Sequence, residues 1–170
     1  QNRSDWIDNA YLNESDAMGG YQERAGRVQF LYETADFNAL LNLHSRNYAG
    51  TASIFRANVF TKGSNDLNEN YDRDTVYYDA TVNNPQEYDS WGGSLKFDFM
   101  FDDMTLTSIS SYETASGFSQ SDVDGGTLEG PGFIPFPSST RDELKDLEQY
   151  TQEIRLASDT TDAFSWQVGG

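Results

Sequence analysis

The residues with the clearest chemical promise are oxygen donors at a regular spacing. In Asp66-Leu-Asn68-Glu-Asn70-Tyr-Asp72 a carboxylate or amide oxygen recurs at every second position, as in the first half of a loop that wraps a calcium ion. The second half is missing. Position six is Tyr71, where such a loop turns sharply on glycine, and position twelve is Tyr77, where it closes the shell with glutamate. The segment is therefore no EF-hand; it reads as a solvated acidic loop, with Asp66, Asn68, Asn70 and Asp72 a weak calcium candidate. Asp122-Val-Asp124-Gly is a weaker version of the same pattern. His44 is the single imidazole, and the sequence supplies it with no partner for a metal site or a nucleophile–base pair. Glu153 and Arg155 share a strand face, which suits an exposed ion pair better than an acid–base couple. No local motif marks two carboxyls facing each other across a sugar, so an enzyme and a cofactor are not expected. Tyr71, Tyr77, Tyr78, Phe133 and Phe136 offer rigid amphipathic rings and are candidate ligand contacts. Asn2-Arg-Ser4 and Asn13-Glu-Ser15 match glycosylation sequons, a pattern short enough to arise by chance.

The elements that must position these residues show a period of two. From Phe37 to Tyr48, Phe37, Ala39, Leu41 and Leu43 fall on one face, and Asn38, Asn42, His44 and Arg46 on the other, with Leu40 the exception. A β-prone run, 27–33, precedes it across the short polar link Thr34-Ala35-Asp36, which predicts a hairpin over about 25–48. A second hairpin is expected over 90–114. In it Trp91, Gly93, Leu95, Phe97, Phe99 and Phe101 oppose Ser94, Lys96 and Asp98, and Asp102-Asp103 makes the turn. A third is expected over 148–170, turning at Ser158 to Asp162. Between the hairpins lie two long connections, about 49–87 and 115–147, where loops of compact domains run to roughly 4 to 6 residues. Thr140 and Glu143 have capping-box spacing, and Leu144 and Leu147 fit one helical face, so a short helix is expected before the third hairpin.

Of 170 residues, 28 are acidic and 11 basic, for a net charge of −17. That repels phosphate backbones, and no nucleic-acid partner is expected. Hydrophobic residues make up 36% and the mean hydropathy is −0.69, poor for a deep core, yet aromatics at 14% argue against disorder. With no cysteine, disulfides and thiolate metal sites are excluded. No apolar run approaches a spanning helix, which leaves spanning strands open. Phe37 and Tyr48 stand eleven residues apart, Trp91 and Phe101 ten. A tilted strand needs roughly 9 to 11 residues to cross hydrocarbon, and amphipathic rings prefer its two interfaces. Long loops, short turns, an apolar face and paired aromatic girdles suit an antiparallel transmembrane β-barrel segment, a meander of hairpins. A soluble acidic β-sandwich that binds glycans, its greasy face turned inward, is the alternative that alternation by itself leaves open.

Four segments resemble, in order, the barrel region of TonB-dependent outer-membrane receptors. Ala25-Gly-Arg-Val-Gln-Phe-Leu-Tyr-Glu33 with Ala35-Asp-Phe-Asn-Ala-Leu-Leu-Asn-Leu43 is similar to that family's Arg-x-x-Leu strand and apolar return strand. Leu106-Thr-Ser-Ile-Ser-Ser-Tyr112 resembles its Leu-Thr-Ser-Ile-Thr-x-Tyr strand, and Tyr150-Thr-Gln-Glu-Ile-Arg-Leu-Ala-Ser158 its Gln-Glu-Ile/Leu-Arg-Leu strand. Phe164-Ser-Trp-Gln-Val-Gly-Gly170 stands where the family has its Trp-x-x-Gly return strand. Each is weak singly; the ordered set is specific. The resemblance implies a bacterial outer-membrane barrel of 22 strands filled by a plug domain, taking up an iron chelate, cobalamin or oligosaccharide with energy relayed by TonB. Its partners would be that plug, the rest of the barrel, TonB through an N-terminal region, outer-membrane lipid and the small-molecule ligand. The sequence holds no plug-like segment and no TonB-box candidate, so residues 1–170 are expected to be one internal barrel fragment, unable to transport alone.

Overall fold

Strand propensity prevails throughout the computed structural model, which describes residues 1–79, 83–158 and 164–170. Among them are ten strands and no helix: β1 (Asn2–Arg3), β2 (Ile7–Asn9), β3 (Glu14–Met18), β4 (Tyr21–Glu33), β5 (Phe37–Thr51), β6 (Thr75–Val76), β7 (Pro85–Met100), β8 (Met104–Asp122), β9 (Ser139–Ser158) and β10 (Gln167–Gly169). Seven form one sheet in the order β1-β4-β5-β7-β8-β9-β10, and three form a second, β3-β2-β6. The fold is all-β with antiparallel sheets; β2 and β6 add one short parallel pairing. The large sheet does not close on itself among the described residues, and β1 and β10 are its edges.

Short polar links make the tight turns. The Thr34 amide and hydroxyl both donate to the Phe37 carbonyl, at 2.8 and 3.1 Å, and the Phe101 amide donates to the Met104 carbonyl at 2.8 Å. The turn expected at Ser158 to Asp162 falls mostly on residues 159–163, outside the described residues. On its near side the Ser158 amide donates to the Trp166 carbonyl at 3.0 Å.

Two expectations are corrected. The connections expected at 49–87 and 115–147 shrink to 52–84 and 123–138, because β5, β7, β8 and β9 all continue past the apolar stretches that betray them. The helix expected around Thr140 to Leu147 is strand instead, the first half of β9. Capping-box spacing is a four-residue signal, whereas the β8 neighbour offers a ladder along the whole segment. Asp146, at φ +46°, also explains the misleading leucines. A left-handed residue inside a strand marks a bulge, and a bulge shifts the alternation by one position, so a three-residue spacing need not be helical.

The chain divides into two compact units, one comprising Gln1–Arg24, Asn47–Tyr88 and Gly117–Leu144, the other Ala25–Arg46, Asp89–Ser116 and Lys145–Gly170. Unit one holds a small core of Ile7, Met18, Val76 and Tyr78, against which Trp6 and Ile54 pack. Register brings Ile7 opposite Met18 and Asn9 beside Val76. Tyr78 is fully buried, and its hydroxyl both donates to the Phe55 carbonyl (2.8 Å) and accepts from the Phe55 amide (2.6 Å). Burial pushes this phenol well above its ordinary range. Tyr78→Phe strips the Phe55 peptide of both bonds and should destabilise unit one by about 1 to 3 kcal/mol. Faster hydrogen exchange at the Phe55 amide checks this; exchange unchanged from wild type refutes it.

Unit two has no comparable core: among the described residues every buried hydrophobic side chain belongs to unit one. Its rings gather at the surface. Phe37 lies 5.7 Å from Phe97 and 4.9 Å from Phe99, centroid to centroid, beside the short turns, and Trp91 lies 5.4 Å from Tyr112. On that face Ser108, Ser110 and Gln152 satisfy one another, Gln152 accepting from Ser110 and donating to Ser108. The alternate positions carry charged and hydroxyl partners. Lys96 pairs with Asp98 at 2.9 Å, and Thr107 donates to Asp98 at 2.7 Å.

Candidate metal centre

The densest chemistry in unit one is a group of three carboxylates. Asp79, Asp122 and Asp124 each bring a carboxylate oxygen within 4.8 Å of the others. Asp122 ends β8 and is fully buried. Its amide donates to Asn84 Oδ1 at 2.8 Å, and its Oδ1 accepts from the Gly125 amide at 2.8 Å. Asp124 Oδ1 accepts from the Gly126 amide at 3.0 Å. These are turns that an aspartate builds from its own side chain, and they aim two carboxylates at one place. Gly125 is required: its φ is +74°, and a Cβ there would press on the Ala57 and Arg56 amides.

Asp79 arrives from a distant part of the chain. It follows Tyr78, whose carbonyl accepts from Asn9 Nδ2 at 3.1 Å and whose amide donates to Asn9 Oδ1 at 3.2 Å. With the Tyr78 ring locked in the core, the next residue has little freedom. Asp79 Oδ1, Asp122 Oδ2 and Asp124 Oδ2 are buried oxygens without a hydrogen-bond partner. Burial, reinforced by the charges of Asp124 and Asp79, pushes the Asp122 carboxyl up to about 6, against the Gly125 amide that lowers it. Burial and then Asp124 raise Asp79 as well. Three hard oxygen donors with free lone pairs are a donor set for a hard cation.

The residues singled out from sequence are placed differently. Asn68 Nδ2 donates to the Asn58 and Phe60 carbonyls (2.7 and 3.0 Å), and Asn70 Nδ2 donates to Asn58 (2.9 Å). Asp66 accepts from Ser64 Oγ at 2.5 Å, and Asp72 Oδ1 from the Asp74 amide at 2.8 Å. The Asn68, Asn70 and Asp72 side chains fasten the backbone of the 52–84 connection, around the bridge between Phe60 and Leu67, while the Asp66 carboxylate is held by the Ser64 hydroxyl. Of the rings, Phe133 and Phe136 are exposed, Tyr71 lies beneath the Arg56 guanidinium at 5.6 Å, and Tyr77 is half-buried beside Gly130. Tyr78 is no surface contact; its burial makes it a core residue.

In unit two, His44 gains the partner that sequence did not supply, with Nε2 2.9 Å from Glu113 Oε2. Gly92 makes this approach possible, since a Cβ there would collide with the Glu113 carboxylate. No nucleophile joins the pair among the contacts of the described residues. Glu153 and Arg155 lie 3.6 Å apart, both partly exposed. The Asp122-Val-Asp124-Gly motif was the only local signal for the carboxylate group; nothing near Asp79 announces it.

Compared with protein-family models, with curated proteins and with solved structures, the chain gives no match.

Proposed function

We propose that this chain is part of the β-barrel of a TonB-dependent outer-membrane receptor, which takes up a scarce ligand such as an iron chelate, cobalamin or oligosaccharide. The observation that carries the reading is in unit two. Trp91, Phe101, Tyr150 and Ile154 are each more than half exposed, while the alternate positions hold His44 with Glu113 and Lys96 with Asp98. A chain in water gains about 25 cal/mol for each Å² of apolar surface it buries, and unit two leaves such a face uncovered. Lipid is a solvent in which exposed apolar surface carries no such cost, with charged residues turned to a lumen and rings at the two interfaces. The order of four family-like strands supports the narrower reading, and with it a plug domain, TonB and outer-membrane lipid as partners. The short turns 34–36 and 101–103 then face the periplasm and the connections 52–84 and 123–138 the exterior.

The full-length protein is expected in the detergent-extracted outer-membrane fraction. Protease added to intact cells should cut within 52–79 or 123–138 and spare both short turns. Cleavage at the turns with the connections protected reverses the topology. A full-length protein that is monodisperse without detergent overturns the membrane reading in favour of a soluble acidic β-sandwich binding glycans.

A further inference from the structure

The carboxylate group of unit one is not needed for a receptor to cross a membrane, and its geometry is expensive unless something joins it. Three carboxylates with oxygens inside 4.8 Å repel one another. Asp122 is 0% exposed, so water cannot screen it, and its Oδ2 is unpartnered. The charges that raise Asp79 and Asp122 are other carboxylates of the group, Asp124 on both and Asp79 on Asp122. Buried charges are normally paired or bound to metal, and here the pairing is absent on the side where all three residues converge.

We propose that Asp79, Asp122 and Asp124 bind one calcium ion, which ties the 52–84 connection to the C-terminal end of β8. The ligands are all oxygen, which excludes a preference for soft metals. Calcium rather than magnesium is assigned because two of the three donors, Asp79 and Asp124, stand on irregular backbone: calcium accepts six to eight oxygens in loose geometry, whereas magnesium demands a near-ideal octahedron. Three carboxylate ligands balance the ion's two charges with one to spare, and the remaining places of a six- to eight-oxygen shell are left for water. The Asx turns at Asp122 and Asp124 leave one oxygen of each for the metal. The site is independent of the receptor reading, since it rests on unit one alone.

Calcium titration of the purified full-length protein, in detergent if it partitions to membranes, tests this, with terbium luminescence as the reporter. One ion per chain should bind, and calcium should displace terbium and raise the unfolding temperature while equimolar magnesium does much less. Asp124→Asn and Asp79→Asn, which keep shape and remove charge, should each weaken calcium binding at least about tenfold. Asp66→Asn, in the acidic loop whose side chains already fasten backbone, should leave it unchanged. Wild-type protein with no saturable calcium binding overturns the proposal, whatever the variants do. So does a loss on Asp66→Asn equal to that on Asp124→Asn, or stabilisation by mild acid with none by calcium, the signature of carboxylates sharing a proton.

Discussion

Leu95→Arg is expected, on the proposed barrel reading, to destabilise the protein by about 2 to 4 kcal/mol, the cost of a guanidinium near the bilayer midplane. Leu95 lies between the Trp91–Tyr112 pair and the Phe37–Phe97–Phe99 cluster, and with Leu41 and Leu43 it lines a shallow apolar groove of about 290 Å³. Leu41→Arg and Phe97→Arg should behave alike. Asn42→Arg and Lys96→Arg occupy the opposite face, beside His44 and Asp98, and should cost much less because on the proposed reading that face stays hydrated. Reversible unfolding into urea with lipid vesicles present measures all five. Equal losses on the two faces would remove the lipid assignment, and with it the physical basis for a barrel.

Asn84→Ala should be the most damaging single change in unit one, at about 2 to 4 kcal/mol. Asn84 is fully buried. Its Nδ2 donates to the Ser53 carbonyl at 2.8 Å, its Oδ1 accepts the Asp122 amide at 2.8 Å, and its own carbonyl accepts the Ala52 amide at 2.7 Å. Alanine keeps only the last. It must also adopt φ +49°, which asparagine tolerates and alanine resists. Asn84→Gly separates the two causes: it relieves the backbone strain but restores neither side-chain bond, so it should recover roughly 1 kcal/mol. Exchange of the Asp122 amide is the direct readout. Protection as strong in Asn84→Ala as in wild type would show that Asn84 does not hold the C-terminal end of β8.

How far the strands were legible varies with the chemistry of each segment. Phe37 to Leu43, apart from Leu40, and Trp91 to Phe101 alternate because one face is largely apolar and the other largely polar, and pairing then follows from the short links after Glu33 and Phe101. The far end of β8 and the first half of β9 do not alternate. Residues 141–154 of β9 are exposed on both faces, so hydropathy had no contrast to reveal, and the capping-box spacing at Thr140 pointed the wrong way.

By itself the sequence determined the class of structure, since side-chain alternation is a property of neighbouring residues and survives whatever the rest of the chain does. It also determined that one face would be apolar, but not what would cover it, because water-avoiding side chains alternate identically against lipid and against a second sheet. Tertiary structure decided the carboxylate group. Asp79 reaches Asp122 only because Asn9 clamps the Tyr78 peptide from 69 positions away and Asn84 clamps Asp122 from 38. It likewise put Tyr78 in the core and gave His44 its Glu113. Those contacts close long loops, and loop closure is set by the whole fold rather than by spacing along the chain.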